Sequence, residues 1–123
     1  MGYTHYWTSR GFTDKEWSQL TSATKEIIAR VQQSGIEIAG PQGEGAPIID
    51  DRIVFNGAGT AGCEPFVLGR TFSRGFCKTQ QLPYDAAVVA VLVVAESTGA
   101  LTWTSDGKAA DHEAGRKLAE DIV

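Results

Sequence analysis

Across residues 3–8, Tyr3, His5 and Trp7 alternate with Thr4, Tyr6 and Thr8, a period of two that suits a short strand. The period changes from Asp14 to Ser34. Trp17, Leu20, Thr24, Ile27, Ile28 and Val31 recur there at helical spacing and mark a core stripe. Thr13 stands at the N-cap with Glu16 at capping-box distance, and Gly35 supplies the left-handed residue that ends such a helix. Residues 39–47 are rich in Gly and Pro and read as a loop. Ile53–Asn56 and Glu64–Leu68 read as the two strands of a hairpin around a glycine-rich turn. From Gly69 to Leu82 the pattern loses regularity, and the segment reads as irregular and basic.

Tyr84 to Thr98 is apolar nearly all round. Its length, with Pro83 before it and Gly99 after it, favours a buried central helix over a Val-rich strand. Leu101–Thr104 reads as a short strand, Ser105-Asp106-Gly107 as a turn, and Asp111–Ile122 as a terminal helix. No repeat or linker interrupts this order. The expectation is one compact α+β domain over residues 1–123, with a single small antiparallel or mixed sheet packed by about three helices.

Composition narrows the functional classes. Hydrophobic residues are 42% of the 123, enough for a core without a disulfide framework. Eleven Lys and Arg against 15 Asp and Glu leave a formal charge of −4, which argues against a nucleic-acid polymer and against an anionic membrane as partner. The longest apolar run, Ala86 to Ala95, is about half of a bilayer crossing. The opening residues lack the charged start and apolar run of a signal peptide, so a cytoplasmic location is expected.

Several groups of residues carry candidate chemistry. Gly57-Ala58-Gly59-Thr60-Ala61-Gly62 matches GxGxxG after an expected strand. A dinucleotide site needs a helix to follow, and Cys63-Glu64-Pro65-Phe66-Val67 reads as extended chain, so a hairpin turn is the better reading and no cofactor is expected. Tyr3, His5, Tyr6 and Trp7 offer aromatic faces for stacking and an imidazole. They equally suit core packing. Arg70, Arg74 and Lys78 concentrate positive charge within nine residues, interleaved with Phe72 and Phe76, and Arg10 is placed to join them. Guanidinium groups suit phosphate or carboxylate, and solvated charges paired with surface acids are the bland alternative.

Cys77, beside Lys78 and near Arg74, is where a thiol pKa is expected to fall. Cys63, followed by Glu64, is where it is expected to rise. The four possible metal ligands, His5, Cys63, Cys77 and His112, lack ligand-pair spacing, so no metal is expected. His112, in the charged run Asp111-His112-Glu113, is expected to face solvent. Asp85 and Asp106 fit a helix start and a turn.

Tyr3-Thr4-His5-Tyr6-Trp7, Phe55-Asn56-Gly57, Cys63-Glu64, Phe76-Cys77-Lys78-Thr79, Pro83-Tyr84-Asp85 and Ser105-Asp106-Gly107 together resemble a family of small uncharacterised proteins of bacteria, fungi and phages. Pro65 departs from it, since an acidic residue is expected after Cys-Glu. No settled activity accompanies the resemblance. It implies that these scattered polar residues converge in one pocket.

Three functional expectations follow. The first is a small-molecule binding protein for an anionic, nucleotide-like ligand held by Tyr3, His5, Tyr6, Trp7, Arg10, Asn56, Arg70, Arg74, Cys77 and Lys78. For a phage protein, the expected use is sequestering a nucleotide signal of host immunity in the host cytoplasm. This binding role ranks ahead of catalysis. The second is a small hydrolase or transferase, with His5 as general base, Cys77 or an activated water as nucleophile, and Asp85 or Asp106 as the orienting carboxylate. The third is an interaction protein, either a homo-oligomer or an inhibitor of a larger partner. The binding expectation depends on the cationic stretch folding back beside the N-terminal aromatic residues.

Overall fold

The computed structural model describes residues 3–122. The alternating opening forms β1 (Thr4–Ser9), and the helical stripe forms α1 (Asp14–Gln33). Thr13 closes the expected capping box. Its Oγ1 accepts from Glu16 N at 3.1 Å, and its own amide donates to Glu16 Oε1 at 2.9 Å. After two short pairing segments, β2 (Ile38–Ala39) and β3 (Ile48–Ile49), the hairpin expected from the sequence appears as β4 (Arg52–Gly57) and β5 (Phe66–Gly69). They are antiparallel, with Phe55 opposite Phe66 and Ile53 opposite Leu68.

The glycine-rich turn between β4 and β5 folds onto itself as a single 3-10 turn at Gly59–Ala61. A Cβ at Gly57 would fall 2.2 Å from the Ala61 carbonyl oxygen, so only glycine fits there, and Gly59 takes φ +54°, a left-handed conformation that favours glycine. No helix opens after it, and β5 follows as extended chain.

The segment expected to be irregular contains a strand, β6 (Ser73–Lys78). It pairs antiparallel with β1 from Thr4↔Lys78 to Ser9↔Ser73. The misleading signal is Phe76. It shares the outward face with Arg74 and Lys78, so the alternation does not separate apolar from polar residues. On the other side β1 pairs antiparallel with β7 (Leu101–Ser105), giving a three-stranded sheet in the order β6-β1-β7. The strands thus form two small antiparallel sheets where the sequence suggested one, and the fold is α+β. β5 and β6 lie side by side, joined by Arg70–Phe72, without a ladder between them.

The buried central helix is α2 (Asp85–Ser97), in which Ala87 to Leu92 are fully enclosed. It packs against α1, against β7 and against α3 (Glu113–Glu120), which follows a 3-10 turn at Ala109–His112. Trp7, Phe66 and Phe55 link the two sheets through ring contacts at 5.1 and 5.3 Å. No helix among the described residues is long and apolar enough to cross a membrane.

The pleat of β1 divides the three-stranded sheet into two faces. His5, Trp7 and Ser9 point inward with Cys77 and Leu101, while Tyr6 and Thr8 point outward with Arg74, Phe76, Thr102 and Thr104. Gly75, opposite Trp7, makes the inward packing possible. A Cβ there would lie 2.5 Å from the indole ring. Gly75→Ala is therefore expected to cost about 1–3 kcal/mol of stability, read from the urea midpoint. Gly69→Ala, where nothing lies within 4 Å, serves as the silent control. Equal midpoints for the two variants would contradict this packing.

Candidate functional site

On the inward face, β1 carries His5 into a buried polar cluster assembled from four parts of the chain. His5 Nε2 lies 2.6 Å from Asp85 Oδ1, and Thr79 Oγ1 donates to the same oxygen at 2.6 Å. The chain reaches this arrangement by a tight turn in which Gln80 and Gln81 take φ +54° and +56°, conformations that cost side-chain-bearing residues free energy. The turn carries Thr79, at the end of β6, and Asp85, at the start of α2, to the same imidazole. Thr79 N also donates to the Tyr3 carbonyl at 3.1 Å, which extends the β1–β6 ladder.

Asp85 and Thr79 thus fix the imidazole through its Nε2 side, with Nδ1 on the opposite side of the ring. His5 is fully buried, and Nδ1 has no hydrogen-bond partner among the described residues. The Tyr3 hydroxyl is likewise enclosed and unpartnered, lying where a Cβ on Gly107 would sit at 2.4 Å. Burial, reinforced by Asp85, pushes the Tyr3 phenol up to about 12.

His112 departs from the expectation that it faces solvent. It is 6% exposed, 5.7 Å from the His5 ring and 5.1 Å from Trp103, and its Nε2 lies 3.1 Å from Ser105 Oγ. The charged neighbours Asp111 and Glu113 suggested a solvated face, but the 3-10 turn before α3 rotates the imidazole inward. Burial, then the nearby His5, lowers its pKa. Arg116 covers the outer side of Trp103 at 5.5 Å. Asp106 accepts from Thr4 N at 3.1 Å and secures the β7 turn to β1.

Other sequence candidates are engaged internally. Asn56 uses its side chain as a staple: Nδ2 donates to the Pro41 and Cys63 carbonyls, and Oδ1 accepts from Gly57 N and Cys63 N. Trp7 is core. Cys77 does face His5 across the ladder, but the expected drop in thiol pKa is reversed. Burial, with Glu64 nearby, raises it to about 12, and Sγ donates to the Glu64 carbonyl at 3.4 Å. The cationic neighbours point to the opposite face of the sheet, which is why sequence adjacency misled. Arg10 pairs with Glu16 at 2.9 Å and Arg70 pairs with Asp14.

The outward face is a different surface. Tyr6 is 45% exposed and Phe76 64%, and they stand directly opposite each other on β1 and β6. Arg74 and Lys78 flank Phe76 on the same side of β6, Arg74 exposed and Lys78 half-buried, and neither is ion-paired among the described residues. The Lys78 amide donates to Glu64 Oε1 at 2.7 Å, which places one carboxylate near that end. Exposed Thr8, Thr102 and Thr104 supply hydroxyls on the other side, around a shallow hollow of about 140 Å³ floored by Trp7 and Trp103.

The cationic stretch and the N-terminal aromatic strand therefore do meet, as neighbours in one sheet. Of the residues proposed from sequence, Tyr6, Arg74 and Lys78 share the open face, whereas His5, Trp7 and Cys77 lie behind it. A larger groove of about 640 Å³, between α1 and the end of α2, is lined by residues such as Ser22, Glu26 and Thr98 and contains none of the sequence candidates. Among the described residues no three His, Cys, Asp or Glu side chains gather as a metal ion requires. No protein-family model, curated protein or solved structure matches this chain.

Two measurements check the inner cluster. Asp85→Ala strands the His5 and Thr79 donors and is expected to cost about 2–5 kcal/mol in denaturant unfolding. A loss below 0.5 kcal/mol, roughly the surface-substitution level, would contradict the network. For His112 the folded pKa lies below the ordinary 6.5, so the unfolded chain binds more protons in the interval between the two values. Its contribution to stability is complete above about pH 6.5 and is lost as pH falls through that interval. His112→Gln should flatten this part of the stability profile, and an unchanged slope would exclude His112 as its source.

Proposed function

We propose that the outward face of the β6-β1-β7 sheet binds a small anionic ligand bearing a planar aromatic ring, a nucleotide or a close chemical relative. The observation that carries this reading is the placement of two exposed aromatic side chains, Tyr6 and Phe76, opposite each other beside two unpaired cations, Arg74 and Lys78. Exposed rings on a sheet accept a base face to face, and each such stack contributes about 1–3 kcal/mol. Arg74 and Lys78 neutralise phosphate, and Thr8, Thr102 and Thr104 meet sugar or base edges. The acidic balance of the whole chain weighs against a long polymer and leaves a short ligand as the better match to so small a cationic area.

Binding without turnover is the consequence of this chemistry, because the face presents stacking and charge but no nucleophile. Sequestration of a nucleotide signal is a biological use consistent with it.

A second reading, hydrolysis or group transfer, is favoured by one observation: His5 is oriented by Asp85 at 2.6 Å, with Nδ1 free of any partner among the described residues. In that reading Nδ1 is the general base for an activated water, and the raised thiol pKa leaves Cys77 out of the chemistry.

Incubation with nucleotides, cyclic dinucleotides and ADP-ribose forms, followed by heat release and chromatography, separates the readings. Unchanged ligand recovered in stoichiometric amount supports binding, with Tyr6→Ala and Phe76→Ala each weakening affinity by about 5- to 150-fold at unchanged stability. A converted product, abolished by His5→Gln, supports the enzyme. No retention of any compound contradicts the binding reading.

A further inference from the structure

Arg74 and Lys78 do not sit together at one end of the aromatic pair. They stand two residues before and two residues after Phe76 on the same face of β6. Four residue steps along the strand separate their Cα atoms by about 13 Å. With a base seated on Phe76, the ring and the base stand between the two cationic side chains, an arrangement that favours one phosphate on each side over a single phosphate shared by both. The opposite edge of the platform, β7, contributes only the hydroxyls of Thr102 and Thr104 to this face. Positive charge is therefore delivered along β6, on both sides of the stacking position.

Resting on the reading of this face as a nucleotide platform, we infer that its ligand carries phosphate on both the 3′ and the 5′ side of the stacked nucleoside. This is the unit found in a nucleoside 3′,5′-bisphosphate and in a linear or cyclic dinucleotide. A nucleoside 5′-triphosphate gathers its charge at one end, so it leaves one of the two cations without a partner. Glu64, held near the Lys78 end by the Lys78 amide, adds a repulsive carboxylate against a chain of several phosphates there and tolerates a single diester better.

The test is a calorimetric titration of the full chain with the 3′,5′-bisphosphates of adenosine, guanosine, cytidine and uridine. The matching 5′-monophosphates and 5′-triphosphates, and 3′,5′-linked cyclic dinucleotides, form the other arms. The expected result is that at least one bisphosphate or cyclic dinucleotide binds about tenfold or more tightly than the 5′-phosphates of the same base. Arg74→Ala and Lys78→Ala should each reduce that affinity about tenfold, while for a 5′-monophosphate only one of the two substitutions matters. Arg74 is exposed and Lys78 half-buried, and circular dichroism checks that both variants fold.

Equal or tighter binding of a 5′-monophosphate or 5′-triphosphate overturns the two-sided inference and leaves the platform reading standing. Equal insensitivity of the bisphosphates to both cation substitutions does the same. Absence of binding by every compound overturns both.

Discussion

The register of β1 is the constraint on which the rest of this structure depends. β1 is the central strand of its sheet, laddered to β6 on one side and β7 on the other, so each of its side chains is committed to one face by two neighbours at once. A slip of one residue would send His5 and Trp7 into solvent and drive Tyr6 and Thr8 into the core. Several independent contacts oppose that slip. His5 is held by Asp85 from the start of α2, Trp7 occupies the space left by Gly75, and Asp106 and Thr79 close the β7 and β6 ladders onto Thr4 and Tyr3 at the N-terminal end of β1. Because these contacts come from β6, α2 and the turn after β7, the inner polar cluster is also the junction that draws the fold together.

This constraint separates two kinds of chemistry that the sequence interleaves. The inward positions of β1 meet titratable groups in a dry environment, where polar partners are few and each hydrogen bond matters to stability. The outward positions meet solvent, and there the exposed rings and unpaired cations have no internal contact to explain them. Buried hydrogen-bonded polar residues are accounted for by the fold they hold. Exposed aromatic residues between free charges are not, and this asymmetry makes the outer face the better candidate for a ligand.

Much of the fold was legible because its signals are local. The capping box at Thr13 and Glu16, the stripe from Trp17 to Val31, the hairpin around the glycine turn and the all-apolar α2 each announce themselves within a few residues. β6 was not legible, because Gly75 interrupts it and Phe76 alternates in step with the cations, so neither face reads as apolar. The site was legible as a list of residues and not as a geometry. Alternation placed Tyr3, His5 and Trp7 opposite Tyr6, but nothing local indicates that His5 meets a carboxylate 80 positions away, or that the turn before α3 carries His112 beneath Trp103. Cys77 shows the same limit in reverse. Its sequence neighbours are cationic, yet its burial and the nearby Glu64 carboxylate decide its pKa.

Backbone amide chemical shifts, followed by NMR while a tightly binding nucleotide is added, distinguish the two faces at residue resolution. The largest changes are expected on Tyr6, Thr8, Arg74, Phe76, Lys78 and Thr104, with Asn56 and the glycine turn unaffected. Changes concentrated at Thr79, Asp85, Ser105 and His112, with the outward residues silent, would contradict it and move the site to the buried histidine.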